Sequence, residues 1–217
     1  MPDSALSPSP PASVIPLSPA DQPKAVAVLT LAFDGDPIYR QLLPGPEVRR
    51  RALEALWRAL IVMSSRYGAV DTTPETAGVA CWLGPGHADL GLWELIRTGL
   101  AMPRAMMRFP PDARKRFLEL VAVSDRIRRD IMPHPHWYLW ALGVEPTRQG
   151  QGIGAAVLTH GIARADAEAL PCYLETETEP NVAFYVRRGF AVVHDGEIAG
   201  MRLWSMLRSP GGPGRRA

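Results

Sequence analysis

The sequence predicts a mixed α/β sheet rather than a regular βαβ alternation, and three observations predict it. Two pairs of neighbouring strand-like runs stand without a helix between their members, at Ala69–Thr72 with Gly78–Leu83 and at Phe190–Val193 with Met201–Leu207. Long segments with apolar residues at helical spacing fall before and between them. A strongly apolar run, Trp137–Val144, leads into the glycine-rich segment Gln149-Gly150-Gln151-Gly152-Ile153-Gly154 and then another helical pattern.

Taken in order, Met1 to about Ala12 is a Pro/Ser-rich tail with nothing to pack, expected to be disordered. Ser13–Leu17 is a short first strand. Ser18-Pro19 supplies a cap and a first-turn proline for a helix that runs to about Phe33, where Asp34-Gly35-Asp36-Pro37 breaks it. A second helix over Pro46–Tyr67 carries Leu53, Leu56, Leu60 and Met63 on one face. After the first strand pair come two further helices, Ala88–Met107 and Asp112–Met132. In the latter, Phe117, Leu120, Val121, Ser124 and Ile127 keep helical spacing, while Arg114, Lys115, Arg126, Arg128 and Arg129 are expected to face water.

Trp137–Val144 is then a core strand. A helix from about Gly152 to Ala169 sets Leu158, Ile162, Ala165 and Ala169 on one stripe. Pro171–Thr176 is a strand, and Asn181–Arg188 a short helix stopped by Gly189, the residue a left-handed cap favours. Residues 13–208 thus form one domain, and Ser209–Ala217 a second disordered tail.

Composition bounds the function. With 217 residues, 47% hydrophobic and 21% charged, the chain reads as a soluble globular domain able to bury a real core. A net charge of +2 gives no case for a nucleic-acid binder. The basic residues are 22 Arg and two Lys, an imbalance that GC-rich coding explains without a ligand. Cys81 and Cys172 lie in apolar runs, so free buried thiols in a reducing compartment are expected. No Cys/His spacing suggests a metal, and no run approaches the ~18 apolar residues of a membrane span. The expectation is a cytoplasmic protein, monomer or homodimer, with no membrane or nucleic-acid partner.

The glycine segment carries the chemistry. A strand, a tight glycine turn and a helix starting at that turn present backbone N–H groups and a helix N-terminus to a phosphate. Glycines at 150, 152 and 154 let the backbone approach a pyrophosphate. Gly150-x-Gly152-x-x-Ala155 also fits a dinucleotide-binding turn, with Glu175 or Glu177 about where a ribose-binding carboxylate falls. Against it, Glu145–Arg148 separates strand from glycines, and the first half of the chain does not alternate. A nucleotide-binding module without transferase activity is therefore the rival reading.

Gln149-x-x-Gly152-x-Gly154, followed some thirty residues later by Asn181-x-x-Phe184-Tyr185-x-Arg187-Arg188-Gly189-Phe190, resembles the paired signatures of the GNAT superfamily of N-acetyltransferases. Trp137-Tyr138-Leu139, Leu142-Gly143-Val144 and Cys172-Tyr173-Leu174-Glu175-Thr176 look like segments of puromycin N-acetyltransferase and its relatives. The likeness is firm over Trp137–Leu207, faint over Val14–Leu83, and least over Ala88–Met132. It implies a mixed, largely antiparallel central sheet of about six to seven strands flanked by helices. It also implies acetyl-CoA as co-substrate, no metal, and direct attack by a primary amine on the thioester without an acyl-enzyme. The amine would belong to a small molecule, with a protein N-terminus as the alternative acceptor.

On that resemblance, acetyl-CoA would be held by Leu142, Gly143, Val144, Gln149, Gly150, Gln151, Gly152, Ile153, Gly154, Asn181 and Tyr185. Tyr185 would serve the leaving thiolate, since a phenol near pKa ~10 can hydrogen-bond a thiolate near ~8.5. Glu175 is the favoured base; Glu177 shares its strand face, and His134 and His136 are in reserve. The cofactor would enter between the strands ending near Val144 and Glu175. Phe33, Asp36, Trp82 and the helices between Leu90 and Ile131 would then wall the acceptor side. Trp82 and Phe33 have core packing as their plain alternative, and Asp36 a turn-forming role.

Overall fold

The computed structural model describes residues 13–89, 91–198 and 200–212. The expected N-terminal tail lies outside them, as do residues 213–217. Residues 209–212, assigned to the C-terminal tail, instead form a turn in which the Gly211 amide donates to Asp166 Oδ1 at 2.8 Å.

In chain order the elements are β1 (Ile15–Pro16), α1 (Gln22–Phe33), α2 (Pro37–Leu42), α3 (Pro46–Tyr67), β2 (Gly68–Thr72), β3 (Gly78–Leu83), α4 (Leu92–Arg97), α5 (Ala101–Met106) and α6 (Pro111–Ile131). There follow β4 (Trp137–Val144), α7 (Ile153–Ala167), β5 (Cys172–Thr176), α8 (Glu179–Val186), β6 (Ala191–Ile198) and β7 (Met201–Arg208). The strands make one seven-stranded sheet in the order β1-β2-β3-β4-β5-β7-β6. Among the described residues only β4 and β5 pair in parallel; the other pairings are antiparallel. The mixed, largely antiparallel sheet expected from the sequence is therefore what forms.

Both faces of the sheet are covered, and the alternation along β3 records it. Val79 and Cys81 pack into a core with Leu29 of α1 and Leu53, Leu56 and Leu60 of α3. Ala80 and Trp82 point to the other face, against Val157, Leu158 and Ile162 of α7. The apolar stripe of α3 is fully used: Leu53, Leu56, Leu60 and Met63 are all buried.

Two expectations need correction. The helix over Ala88–Met107 is broken into α4 and α5 by Thr98-Gly99-Leu100, with Gly99 and Leu100 at φ of 64° and 55°. Pro103 in the first turn of α5 cannot donate a backbone N–H, which suits the start of a helix better than its middle. Arg128 does not face water. It is 2% exposed, donates to Asp89 at 2.5 Å and Asp125 at 3.1 Å, and lies over the Tyr138 ring. Helical spacing alone could not reveal that a carboxylate from another segment would draw one arginine inward.

Candidate active site

The central feature is a parting of the sheet. β4 and β5 pair only from Trp137–Leu139 to Cys172–Leu174. Beyond that, β4 stays on β3 and β5 stays on β7, so a wedge opens between Trp140–Val144 and Glu175–Thr176. A β-bulge contributes: Cys81 faces Ala141 while Trp82 faces Leu139, which leaves Trp140 as the extra residue in β4. Bulges bend a strand and raise its twist, so the parting follows from one inserted position. The backbone edge of β4 along the wedge is left without a strand partner on that side.

On one side of the wedge is a cleft of about 540 Å³ at the glycine turn. Gly150 and Gly152 hold φ of 78° and 82°, and a Cβ on either would meet nothing within 4 Å. They need glycine for conformation, and their backbones front open space. Gly152 caps α7 without any side-chain hydrogen bond, so no side chain of the cap takes up the first-turn N–H groups. Gly154 has another purpose. A Cβ there would lie 3.3 Å from Val144 Cγ2, so its smallness lets α7 sit close to β4. Arg148, Arg187 and Arg188 line the same cleft. Bare amides, a helix N-terminus and three guanidinium groups suit a phosphorylated ligand.

Of the eleven residues expected to hold the co-substrate, ten line this cleft; Gln151 does not and is exposed. The Gln149 side chain donates to the Val144 carbonyl at 3.2 Å, closing the turn onto the end of β4. The arginines were missed because the Arg-rich composition has an explanation in coding. The pair Arg187-Arg188 inside the second motif was the available signal.

A second cavity, of about 140 Å³, adjoins the first; Phe33, Asp36, Leu142, Asn181 and Tyr185 border both. It lies over β4 from Tyr138 to Leu142 and under α6, whose Phe117, Leu120, Val121, Ser124 and Asp125 close it. Glu175 reaches in and is held by three hydroxyls: Ser124 at 2.6 Å and Tyr173 at 3.0 Å on one oxygen, Tyr138 at 2.6 Å on the other. The expected face shared by Tyr173 and Glu175 forms, with Glu175 as a tether between α6 and the sheet, while Glu177 lies one residue past the end of β5.

Glu177 differs. It is half-buried, and burial first, then the charges of Asp36 and Glu175, push its carboxyl up to about 8. Asp36 is raised for the same first reason, burial, partly offset by the amides of Tyr39 and Ile38. Those amides cap α2: the Ile38 N–H donates to Asp36 Oδ1 at 2.9 Å. Asp36 therefore both makes the turn and borders the cavity. Tyr185 is buried, and burial lifts its phenol above the ordinary range, so it remains a neutral donor.

Trp82 requires correction as an acceptor residue. It is wholly buried, and its indole packs so closely on α7 that a Cβ at Gly161 would overlap it. β3 directs position 82 to the sheet face opposite α1 and α3, so it borders neither cavity. The acceptor wall from α6 is present, whereas α4 and α5 do not line it. His136 is buried, with Nδ1 at 2.7 Å from the His134 carbonyl, and it borders a separate depression beside Arg128. Burial lowers its pKa, so it stays neutral away from the wedge.

The dinucleotide reading fails on topology, because β3 and β4 run antiparallel and Glu175 sits in the second cavity rather than at the glycine turn. Residues 106–190 match the Acetyltransferase (GNAT) family model. The chain is 27% identical over 176 residues to an uncharacterised N-acetyltransferase of Schizosaccharomyces pombe, covering 78% of this chain and 70% of that one. It is 39% identical over 62 residues to a mycothiol acetyltransferase of Propionibacterium freudenreichii, covering 27% of this chain and 20% of that one. A solved Corynebacterium glutamicum structure, described as histone acetyltransferase HPA2 and related acetyltransferase, superposes with a TM-score of 0.66 at 26% identity. The match covers 94% of this chain and 99% of that one.

The fold is that of the GNAT acetyltransferases. The family model, the relative and the solved structure are each similar to this chain as acetyltransferases over the ranges given. Among the described residues no helix is long and apolar enough to cross a membrane.

Proposed function

We propose that the chain transfers an acetyl group from acetyl-CoA to a primary amine of a small molecule by direct attack. One observation carries the reading: the cleft of bare glycine amides adjoins the acidic cavity, and Tyr185 and Asn181 border both. The residues fit the group. Gly150 and Gly152 leave space where a Cβ would stand, and the arginines answer a pyrophosphate's charge. When bound, acetyl-CoA supplies an activated acyl carbon and a thiolate leaving group.

The chain's own residues then divide three tasks. Glu177 accepts the proton that the incoming ammonium must lose, and a carboxyl at about 8 is matched to that work near neutral pH. The β4 edge from Leu142 to Val144, left without a strand partner in the wedge, offers backbone N–H to the acyl oxygen as charge develops there. Tyr185 donates a hydrogen bond where the sulfur departs. Its raised pKa makes full proton donation uphill, so it steadies the thiolate while the proton released from the attacking nitrogen goes to sulfur. Glu177 takes the place of Glu175 as base, because all three hydroxyl partners of Glu175 hold it as an acceptor in one position. Both cysteines are free and buried, in keeping with a cytoplasmic setting.

The likeness to puromycin N-acetyltransferase is kept as a proposal about the acceptor. A free-thiol assay with acetyl-CoA across amines, including puromycin and short peptides, tests the reading. Thiol release with small primary amines and none with peptides is expected. Release only with peptides would make the acceptor a protein N-terminus.

A further inference from the structure

The walls of the acidic cavity carry four carboxylates, Asp36, Asp125, Glu175 and Glu177, and among the described residues that line it there is no arginine, lysine or histidine. Asp125 pairs with Arg128 from outside the cavity, but Arg128 also serves Asp89, so one guanidinium is divided between two carboxylates. The hydrogen-bond partners of Glu175 are neutral hydroxyls. The acidity is also spread out. Among the described residues no three carboxylates or other ligating groups come together as they would around a metal ion. Glu175 and Glu177 stand two residues apart, on the order of 6–7 Å along extended chain.

A second observation marks the cavity as ligand space. The indole Nε1 of Trp57, 1% exposed and bordering it, is buried without a hydrogen-bond partner. Most buried donors are met, and an occupant of the cavity or its hydration water would meet this one.

Resting on the transferase reading above, we infer that the acceptor is a diamine: one nitrogen reacts beside Glu177, and the second, as an ammonium, is held by Glu175 and Asp125. The charge balance leads there. The reacting ammonium gives one proton to Glu177 and its nitrogen ends as a neutral amide. That leaves three carboxylates, Asp36, Asp125 and Glu175, with only the shared Arg128 beside one of them. A second ammonium supplies the missing positive charge in both substrate and product. Burial raises the Asp125 carboxyl even with Arg128 beside it, so a further cation there would be welcome. The aromatic walls, Tyr138 and Trp140 among them, can flank the methylene chain and the ammonium.

The test compares kcat/KM for 1,4-diaminobutane, its chain-matched monoamine n-pentylamine and the aromatic monoamine 2-phenylethylamine by thiol release. The diamine should be preferred over both by about tenfold or more, the worth of one partly desolvated ion pair. Asp125→Asn and Glu175→Gln should each narrow that ratio at least several-fold, with circular dichroism confirming that the variants fold. Equal or better use of either monoamine overturns the inference and leaves the transferase reading standing. Failure of every amine, the peptides of the wider panel included, to release thiol overturns both.

Discussion

Replacing Glu177 by Gln removes a proton site while keeping the side chain's size, so its effect isolates the base. With the carboxyl at about 8, the deprotonated fraction falls about tenfold per pH unit well below that midpoint. The wild-type kcat, read at saturating amine, should therefore rise about tenfold per unit through the acidic range and level off above about pH 8.5. Glu177→Gln should abolish that limb and lower the plateau by about 10²–10⁴-fold, the usual worth of a positioned base. Acetyl-CoA affinity should stay put, since Glu177 does not border the glycine cleft. Asp36→Asn supplies an internal check. Asp36 is the first charge raising Glu177, so its removal should move the midpoint to lower pH. Burial, the larger cause, should keep that midpoint above the ~4.3 of an exposed glutamate. Asn still accepts from the Ile38 amide, so the cap of α2 survives. Thiol release over a pH series reads both. An unchanged limb in Glu177→Gln, or a midpoint displaced upward in Asp36→Asn, would refute this assignment.

The same raised carboxyl bears on stability. Between the ordinary 4.5 and about 8 the folded chain binds more protons than the unfolded one, so unfolding free energy falls as pH rises through that window. Glu177→Gln should thus melt higher than wild type above about pH 8 and lose that advantage in acid, as read by thermal denaturation. Gly152→Asp should abolish acetyl-CoA binding with the fold retained, because it sets a charged side chain into the space that φ of 82° leaves open; near-normal calorimetric affinity would place the phosphate site elsewhere. Tyr185→Phe should lower kcat by about 10-fold or more with little change in acetyl-CoA affinity; an unchanged chemical step would reduce Tyr185 to packing. Trp82→Ala should destabilise by about 3–5 kcal/mol in denaturant titration and leave the acceptor KM of the folded enzyme unchanged; the reverse pattern would return Trp82 to the acceptor pocket.

What the sequence revealed and what it hid divide along physical lines. Local patterns carried through: the boundaries of α3 and β4, the glycine turn, and Gly189 as a left-handed stop at φ of 86° all follow from neighbouring residues. Which glycines front open space was not legible, because Gly150 and Gly154 look alike until Val144 is seen against one and empty space against the other. The choice between Glu175 and Glu177 turned on partners 37 and 51 positions away, Tyr138 and Ser124, that no spacing rule reaches. Trp82 was misplaced because alternation tells which residues share a face but not which face meets the cavity. The inward turn of Arg128 likewise depended on Asp89, far along the chain.

Titration calorimetry with acetyl-CoA, CoA and NAD tests the central claim most directly, because it asks whether the glycine cleft holds the proposed donor before any acceptor is known. Saturable binding of acetyl-CoA and CoA, none of NAD, and loss of both responses in Gly152→Asp are expected. Tight NAD binding with none for acetyl-CoA would contradict that claim.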